Sequence, residues 1–380
     1  MTVNRGKLMV LVGGQYGSEG KGAIARHLAF DYNVHVRVGS PNAGHTFYWD
    51  GAKHVMQSIP CGWINPNAKI VIGRGALLNM KQLMKELVHI MHWYPDFLDR
   101  LIIDENAGVL DEKFHEQEGG VNGEMHRRIG STGEGVGPAR VARINRDPAQ
   151  FRQFKDVAEE YGLERCLRSN TPRALAEAQD NGSNILIEGT QGSGLSLLHS
   201  HWPYCTSIDT NAAGVISEVG IAPSRVTDVL LVCRTYPIRV AGNSGPMQGE
   251  IDWDVLSAIT GGYVHPERTT VTKKIRRVAT WDDDLFHQSC ILNAPTGIAL
   301  TFADYIDPSL SGCTDVEGVM NSTALRNFIS KHEIGDILYI STGPDSVVDL
   351  DRAEDTIHKL DSDGMMSDAE EGEYMKGVMG

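Results

Sequence analysis

The chain has 380 residues, of which 41% are hydrophobic and 22% charged, and this ordinary balance excludes a disordered or collagen-like chain. With 49 Asp and Glu against 35 Lys and Arg, the formal net charge is −14, which argues against nucleic acid as a partner but leaves room for a local basic pocket. No apolar run approaches the roughly 18 residues that cross a membrane, and Leu8–Val12 is too short for a signal-peptide core. Six widely spaced cysteines without a CxxC pair are typical of a reduced, cytoplasmic protein.

Short β-type runs alternate with helical stretches along the chain. The runs that predict strands are Leu8–Val12, Val34–Val38, Ile70–Ile72, Leu101–Ile103, Ile185–Ile187, Val229–Val232, Ile298–Phe302 and Ile337–Ile340. Because continuous apolar runs are typical of strands buried on both faces, they predict an α/β fold with a large, mostly parallel central sheet flanked by helices. Helical spacing occurs in Lys81–Trp93 and Thr171–Asp180, with Thr171 as a predicted N-cap and Pro172 at the first helical position. No Pro/Ser/Gly linker divides residues 1–380, so we expect one domain with inserted lobes.

Two segments depart from this alternation. Gly119–Gly137 is rich in glycine and poor in apolar residues, which predicts a mobile loop near a ligand. The acidic tail from Asp345 to Glu373 has eleven acidic residues against Arg352 and Lys359. This composition predicts a solvated helix and a frayed end that carry no chemistry.

The strongest local signal is the glycine loop Gly13–Gly22, GGQYGSEGKG, directly after the first predicted strand. Glycines let backbone N–H groups turn toward a phosphate, and the start of the next helix adds positive potential. Lys21 supplies a mobile charge for a β or γ phosphate. The loop is not a Walker A loop, since five residues separate Gly14 from Gly20 and Gly22 replaces the Ser or Thr that holds Mg²⁺. Its spacing also argues against a dinucleotide-dependent oxidoreductase.

Other polar loops also follow predicted strands. Asn42 and His45 lie among small residues in Gly39–Thr46, and a histidine there can act near neutral pH as an acid, a base or a hydrogen-bond donor. In open α/β sheets, ligands bind outside the carboxyl ends of the strands, so these loops are expected to converge on one crevice. Arg268–Arg277 concentrates five cations, which indicates either a solvated basic face or a segment that binds a carboxylate or phosphate. The remaining strand-end loops are Glu188–Gly192, Ala303–Asp304 and Ser341–Pro344.

Together these segments resemble the adenylosuccinate synthetase family, in order and over nearly the whole chain. The resemblance implies the fold of that family, a P-loop-like α/β architecture, and its reaction. In that reaction a nucleoside triphosphate phosphorylates the 6-oxygen of a purine monophosphate, and the amine of L-aspartate then displaces the phosphate, because a phosphorylated oxygen leaves far more readily than an amide-like one. Catalysis then rests on positioning and on neutralising phosphoryl charge. The motifs are Gly13–Gly22, Asn42–Thr46, Ile59–Gly62, Ile129–Pro138, Glu188–Gly192, Pro203–Thr206 and Ser341–Pro344.

The resemblance also implies roles for individual residues. Catalytic roles are implied for Ser18, Lys21, His45 and Gln191. Triphosphate binding is implied for Gly17, Glu19, Gly20, Lys21, Gly22, Gly44, Thr46, Asp304, Ser341, Thr342 and Gly343. Monophosphate binding is implied for Ser18, Asn42, Ala43, Ser131, Thr132, Arg143, Gln191, Thr206 and Lys274. Aspartate binding is implied for Thr270, Val271, Thr272 and Arg276, and Mg²⁺ coordination for Ser18 and the Gly44 carbonyl. Arg143 matches an arginine that the family supplies across a homodimer interface, so a homodimer is expected.

Several positions depart from the family pattern. Ser18 stands where the family has the aspartate that removes the ring N1 proton, and a serine cannot be that base near pH 7 without a proton acceptor. Lys274 and Ile275 stand where arginines are usual, and Phe302 replaces the lysine before Asp304. Serine at position 18 resembles the bacteriophage branch, the succino-2-amino-deoxyadenylate synthases. That branch implies dGMP as the acceptor and ATP or dATP as the donor in place of GTP, in making 2,6-diaminopurine for phage DNA within the host cytoplasm.

Two alternatives stay open on the sequence alone. The first is a conventional adenylosuccinate synthetase that uses IMP and GTP, in which Ser18 is a tolerated change. The second is a nucleotide-binding relative that lost catalysis with its base and now regulates or scaffolds. Turnover with a particular purine separates the first from the leading interpretation, and nucleotide binding without phosphate release identifies the second.

Overall fold

A ten-stranded sheet forms the centre of the fold in a computed structural model that describes residues 5–268 and 274–350. The strands are β1 Leu8–Gly13, β2 Val34–Arg37, β3 His45–Trp49, β4 Ala52–Met56, β5 Lys69–Ile72, β6 Leu77–Leu78, β7 Leu101–Asp104, β8 Gly108–Val109, β9 Leu167–Arg168, β10 Ile185–Glu188, β11 Asp228–Arg234, β12 Ile238–Arg239, β13 Glu250–Ile251, β14 Arg277–Ala279, β15 Gly297–Thr301, β16 Ile337–Ser341 and β17 Val347–Asp349. The α-helices are α1 Lys21–His27, α2 Met80–Trp93, α3 Glu112–Glu118, α4 Glu124–Ile129, α5 Val136–Asn145, α6 Thr171–Asp180, α7 Ala212–Val219, α8 Trp253–Ile259, α9 Asp283–Asn293, α10 Val316–Asn321 and α11 Thr323–Lys331.

The central sheet has the strand order β17-β16-β15-β11-β1-β10-β2-β5-β7-β9. Its strands pair in parallel except at the β16–β17 edge, which confirms the predicted mostly parallel sheet. Leu11 of β1 is paired with Glu188 of β10 on one side and with Leu230 of β11 on the other. Because parallel strands end at the same edge of a sheet, the loops after β1, β2, β10, β11 and β15 meet there.

Apolar side chains cover both faces of the sheet. On β1, Met9 and Leu11 belong to one buried cluster, which includes residues of α1 and α2, whereas Leu8, Val10 and Val12 belong to another, which includes residues of α6, α7, α9 and α11. A strand buried on both faces has no polar positions to alternate with apolar ones. This is why these strands appear in the sequence as continuous apolar runs.

Two smaller clusters lie outside the central sheet. Phe114 of α3 packs with Val136 and Ala139 of α5. Trp253 and Leu256 of α8 pack against the three-stranded sheet β12-β14-β13. Among the described helices, none combines the length and the apolar character needed to cross a bilayer.

The prediction of a loop over Gly119–Gly137 was wrong in part, because this segment contains α4 and the first residues of α5. The first turn of α4 carries Glu124 and its last turn carries Arg127 and Arg128, an arrangement that complements the helix dipole. The start of α5 is held by burial of Val136. Few apolar residues are therefore enough for short helices here.

Two element ends and part of the acidic tail also differ from the sequence prediction. The N-cap of α6 is Asn170, and Thr171 is the first helical residue, with its hydroxyl donating to Asp104 at 2.5 Å. β15 ends at Thr301 because Phe302 adopts a left-handed φ of 59°. Within the acidic tail, Val347–Asp349 forms an edge strand antiparallel to β16 instead of a helix. The rest of that tail, from residue 351 onward, lies outside the described residues.

Candidate active site

A cavity of about 220 Å³ lies among the loops that follow β1, β2 and β10. The rest of its wall comes from α4, the start of α5, the segment 204–207 and residues around β12 and β14. The sequence-predicted residues that line it are Gly17, Ser18, Lys21, Asn42, Ala43, Gly44, His45, Ser131, Thr132, Gln191, Thr206, Lys274 and Arg276. The structure thus brings together most residues predicted for catalysis and for the monophosphate, from segments far apart in the chain.

The glycine loop between β1 and α1 is shaped by left-handed backbone and by a buried carboxylate. Gly17, Ser18 and Gly20 have φ values of 84°, 61° and 90°. Glu19 is completely buried, and its Oε1 accepts from the backbone N–H of Gly17 at 2.7 Å. Glu19 therefore supports the loop from inside and does not line the cavity. Neither does Gly20, which approaches Thr301 of β15 instead.

Gly22 has a packing role that explains the absence of a serine or threonine there. A Cβ atom at this position would lie 2.6 Å from the carbonyl oxygen of Thr46 in β3. That distance is shorter than real Cβ contacts, so α1 packs against β3 only with glycine at position 22. Gly22 and Thr46 form this contact and do not line the cavity.

Lys21 is held in place at the edge of the cavity. Its side chain is 2% exposed, and its ammonium donates to Glu19 Oε2 at 2.6 Å and to the carbonyl oxygen of Gln191 at 2.5 Å. Gln191 itself has a left-handed φ of 62°, which turns its backbone toward the glycine loop. A compact cation in this position is suited to a phosphoryl oxygen.

His45 forms part of a buried charged cluster at the ends of β2 and β10. Its Nδ1 lies 2.5 Å from Oε1 of Glu188, and Arg37 Nη1 lies 2.5 Å from the same oxygen. An ionised carboxylate only accepts hydrogen bonds, so Nδ1 carries the proton and donates it to Glu188. Burial and then Arg37 lower the pKa of His45 to about 4, against the opposing effect of Glu188. His45 is therefore neutral at pH 7, with a proton-accepting Nε2.

Glu188 and Arg37 are functional candidates that the sequence analysis did not assign. Burial acts to raise the pKa of Glu188, but Arg37 and His45 outweigh it and hold that pKa at about 2. The backbone N–H of Cys61 adds a bond of 2.8 Å to the other carboxylate oxygen. Arg37 also donates to the carbonyl oxygen of Ala43 at 2.8 Å. These contacts fix both the tautomer of His45 and the loop that carries it.

A second charged cluster surrounds Ser18. The Ser18 hydroxyl oxygen accepts from Arg276 Nη1 at 2.6 Å, and the Ser18 carbonyl accepts from Arg234 Nη1 at 3.2 Å. Arg234 pairs with Glu267 at 2.5 Å. Although burial opposes the charge, Arg234 holds the pKa of Glu267 below its ordinary value. Of the predicted aspartate-binding residues, Arg276 faces the cavity, while Thr270, Val271 and Thr272 lie outside the described residues.

The opposite wall of the cavity is built from short helices and loops. Lys274 Nζ lies 3.0 Å from His126 Nε2, and His126 Nδ1 lies 2.5 Å from the carbonyl oxygen of Ser131. The Ser131 hydroxyl donates to Glu118. The predicted residue Arg143 does not line the cavity. Its Nη2 donates within its own chain to the carbonyl oxygens of Arg74 and Asn106, at 3.1 and 3.3 Å.

The predicted triphosphate residues after β15 and β16 form a neighbouring cluster outside the cavity. Thr301 connects this cluster to the glycine loop, since its hydroxyl donates to the Glu19 carbonyl at 2.6 Å. Asp304 follows in the 3₁₀ turn Ala303–Tyr305 and is 4% exposed. Thr342 is buried, and its carbonyl accepts from Gly312 N–H at 3.2 Å. Ser341 and Gly343 flank it, joined by a bond of 3.0 Å from the Ser341 hydroxyl to the Gly343 carbonyl.

The donor set at the cavity fits a magnesium ion that is shared with phosphates. Mg²⁺ prefers oxygen ligands and usually keeps only one or two from the protein. Ser18 and Gly44, the two predicted ligands, both line the cavity and offer a hydroxyl and a carbonyl oxygen. Among the described residues, the one group of three clustered ligand side chains is His45, Cys61 and Glu188. Arg37 already supplies the positive charge there, so that group is not suited to a second cation.

Comparison with known proteins gives the family. A model of the adenylosuccinate synthetase family matches residues 10–172 and 151–316. The chain belongs to the adenylosuccinate synthetase family. The adenylosuccinate synthetase of Methanococcus aeolicus is 36% identical over 340 residues, covering 88% of this chain and 96% of that protein. That of Archaeoglobus fulgidus is 36% identical over 349 residues, covering 90% and 97%. The chain is thus an enzyme of the purine nucleotide–aspartate ligase type, a family that uses Mg²⁺ and a nucleoside triphosphate, which removes the non-catalytic alternative.

Solved structures confirm the fold. The succinoaminodeoxyadenylate synthetase of cyanophage S-2L, bound to dGMP and to dATP as an energy donor, superposes with a TM-score of 0.76 at 29% identity, covering 91% of this chain and 95% of that one. The fully ligated adenylosuccinate synthetase of Plasmodium falciparum gives 0.78 at 21% identity, covering 90% and 100%. The second likeness concerns the fold alone.

Proposed function

We propose that this enzyme joins L-aspartate to carbon 6 of dGMP, with ATP or dATP as phosphoryl donor and succino-2-amino-2′-deoxyadenylate as product. The observation that carries the proposal is Ser18, a neutral side chain at the tip of the glycine loop and on the cavity wall. The cyanophage S-2L enzyme, whose structure contains dGMP and dATP, supports the same substrate pair. GTP remains an alternative donor.

Each catalytic candidate is assigned a task that the geometry supports. Lys21 neutralises charge on the transferred phosphoryl group, and Gln191 orients Lys21 through its carbonyl. His45 presents Nε2 because Glu188 holds the proton on Nδ1. Negative charge developing at the 6-oxygen favours the imidazolium, so Nε2 takes up a proton from solvent water. His45 then donates a hydrogen bond from Nε2 to that oxygen. Preorganised donors of this kind stabilise charge that develops in the transition state.

The remaining predicted contacts complete the proposal. The Ser18 hydroxyl and the Gly44 carbonyl would hold Mg²⁺, which would lower the negative charge on the transferred group. The triphosphate is assigned to the glycine loop, and the monophosphate to the loop after β2 and to the opposite wall of the cavity. The residues assigned to the monophosphate are Asn42, Ala43, Ser131, Thr132, Thr206 and Lys274, and those assigned to the triphosphate base are Asp304, Ser341, Thr342 and Gly343.

Ser18 matters because of the charge it lacks. Arg276 donates to its hydroxyl at 2.6 Å, and a neutral acceptor leaves the guanidinium charge available for a carboxylate of aspartate. An aspartate at position 18 would form an ion pair with Arg276 and would place a carboxylate near the purine ring. We infer that the smaller, neutral serine accommodates the 2-amino group of guanine, which IMP lacks.

The second candidate function is that of a conventional adenylosuccinate synthetase using IMP and GTP. It is favoured by the archaeal relatives, whose 36% identity exceeds the 29% of the cyanophage enzyme. In that case Ser18 is a tolerated change, and another group accepts the ring proton. Sequence identity over the whole chain reflects mainly the residues that build the fold, whereas substrate choice depends on the few residues that contact the purine.

We also propose a homodimer in which Arg143 reaches the partner's monophosphate. Arg143 lies in the last turn of α5, on which Val141 and Ile144 are 58% and 73% exposed. An i, i+3 pair of exposed apolar side chains on one helix is suited to contact with a second copy. Val141→Asp with Ile144→Asp is expected to convert the dimer to a monomer in sedimentation velocity, and a wild-type chain that sediments as a monomer would reject the proposal.

The substrate assignment is tested by measuring phosphate release with aspartate and Mg²⁺ in four combinations, dGMP or IMP with ATP or GTP. We expect the highest kcat/KM with dGMP and ATP. A rate with IMP and GTP that exceeds all others would establish the second candidate instead. Omission of aspartate is the control, since succinylation requires the amine.

A further inference from the structure

A buried carboxylate with one unused oxygen lies beside the glycine loop. Asp304 is 4% exposed, and its Oδ2 accepts from the Tyr263 hydroxyl at 2.8 Å. Within residues 5–268 and 274–350, its Oδ1 is enclosed and has no hydrogen-bond partner. Buried polar atoms without a partner are rare in folded proteins, and leaving one so is unfavourable. Oδ1 is therefore suited to a donor supplied by a ligand.

The Tyr263 hydroxyl donates its single proton to Asp304. The Tyr263 hydroxyl also lies 2.9 Å from the Ser311 hydroxyl. Because an ionised carboxylate only accepts, Tyr263 donates to Asp304 and Ser311 donates to Tyr263. Tyr305 packs edge-on against the Tyr263 ring, with centroids 6.5 Å apart. One oxygen of Asp304 is thus already taken by a well-supported partner.

The free oxygen belongs to the cluster assigned above to the base of the triphosphate. Ser311 is followed by Gly312, whose N–H donates to the Thr342 carbonyl at 3.2 Å. On the other side, Thr301 lies three residues before Asp304 and donates to the backbone of the glycine loop. Asp304 therefore stands between the phosphate loop and the Ser341–Gly343 segment.

The two purines differ in what they offer a carboxylate. Guanine presents N1–H and N2–H side by side, a pair that requires both carboxylate oxygens. Adenine presents one donor on the corresponding edge, its 6-amino group, next to the N1 acceptor. A carboxylate with one oxygen available satisfies adenine, whereas it leaves one N–H of guanine without a partner.

We propose that Tyr263 determines the base preference of the phosphoryl donor. By occupying Oδ2, it restricts Asp304 to a single acceptor, which selects a 6-aminopurine nucleoside triphosphate over a guanine nucleotide. The inference rests on the proposed function in one respect, the assignment of this cluster to the donor base. A site built for specific hydrogen bonds discriminates strongly, because a mismatched ligand leaves buried groups unpaired.

The test is isothermal titration of ATP and of GTP, each with Mg²⁺, into the full chain and its variants. The wild type should bind ATP at least about tenfold more tightly than GTP. Tyr263→Phe, which frees Oδ2, should reduce that ratio about tenfold, mainly by tightening GTP. Tyr305→Phe is the matched control, because it removes a tyrosine hydroxyl bonded at 3.1 Å to Glu267 and not to Asp304, and it should keep the wild-type ratio.

Tighter binding of GTP by the wild type, or an equal change for both nucleotides in Tyr263→Phe, would overturn the proposal. Tyr263 is 38% exposed, so loss of its hydroxyl is expected to spare the fold. If circular dichroism shows otherwise, Asp304→Asn replaces the free acceptor with an amide donor and should weaken ATP at least about tenfold; unchanged ATP affinity would then refute the idea. The titration measures donor binding in the absence of the purine monophosphate. An enzyme that succinylates only IMP would therefore contradict the proposed function and leave the comparison of ATP and GTP affinities intact.

Discussion

The two walls of the cavity are built differently. On the strand-end wall, Lys21 and His45 line the cavity, and Arg37 and Glu188 lie behind His45. All four are less than 10% exposed and bond to one another or to nearby backbone atoms. The opposite wall, around His126 and Ser131, is called the lobe wall below. On it, Ser131, Thr132 and His126 are partly exposed and Lys274 is exposed. The first wall consists of residues at the ends of parallel strands or beside them, and the second of short helices and loops.

The difference suggests that the two walls serve different purposes, phosphoryl transfer on one and substrate recognition on the other. Charged groups fixed in a buried network need little reorganisation as charge develops in a reaction, which suits phosphoryl transfer. Exposed groups on loops can move to close on a substrate, which suits recognition of the nucleotide and of aspartate. Changes on the strand-end wall should therefore affect stability and rate together, whereas changes at the lobe wall should affect mainly substrate affinity.

The largest effect on stability is expected for Glu188→Gln. Loss of this charge leaves the buried Arg37 without its partner, and breaking a buried ion pair costs about 3 kcal/mol or more. Urea unfolding measures the free energy of unfolding. The matched control is Glu177→Gln, which breaks an exposed helix pair with Arg173 and should cost far less, because solvent screens exposed charges. Equal losses in the two variants would contradict the contrast between buried and exposed charge.

His45→Ala should give the largest loss of rate. Removal of a group that transfers or donates a proton to the reacting atom lowers turnover by roughly two orders of magnitude or more. Steady-state phosphate release measures it, with the exposed His199→Ala as control. A decrease of only a few-fold would assign His45 to packing of the antiparallel strand pair β3–β4.

Acid should destabilise the strand-end wall. Burial lowers the pKa of both His35 and His45 to about 4, from an ordinary 6.5. Their contribution is complete above pH 6.5 and decreases as the pH falls toward 4, because the unfolded chain then binds protons that the folded chain excludes. Between about pH 7.5 and about pH 5.5, the free energy of unfolding should fall by about 1 kcal/mol for each histidine. Urea titrations at the two values measure it, and an unchanged midpoint would contradict the neutral state of His45.

The smallest effect is expected for Ser18→Ala, at the junction of the two walls. Arg276 loses a charge-assisted hydrogen bond, and kcat/KM for aspartate should fall about tenfold while the fold stays intact. Titration of aspartate at saturating nucleotide measures it, with the exposed Ser330→Ala as control. Unchanged kinetics would remove Ser18 from the site.

Local patterns in the sequence predicted the parallel sheet and the edge at which ligands bind, whereas most of the individual residues that line the cavity were predicted from the family resemblance. Apolar runs predict strands, and small polar loops after strands predict the edge at which ligands bind. The packing role of Gly22 was not predicted, because it depends on the close approach of Gly22 to Thr46. That contact joins α1 to β3, and loop spacing does not reveal it.

The charged residues that end the buried strands were missed, although the sequence contains a signal for them. Arg37, Asp104, Glu188 and Arg234 are each the last residue of a strand, and each is at most 2% exposed. A charged residue directly after an apolar run is costly to bury unless it is paired. The pattern could thus have indicated a buried charged network at the carboxyl edge. The pairing itself, such as Arg37 with Glu188, depends on which strands are neighbours and could not be predicted.

The identity of the purine acceptor is tested most directly by a competition. Equimolar dGMP and IMP are incubated with the enzyme, aspartate, Mg²⁺ and ATP, and the two succinylated products are separated and quantified by mass spectrometry. We predict that the succinylated derivative of dGMP predominates. Predominance of adenylosuccinate would contradict the role given to Ser18 and would make the enzyme a conventional synthetase.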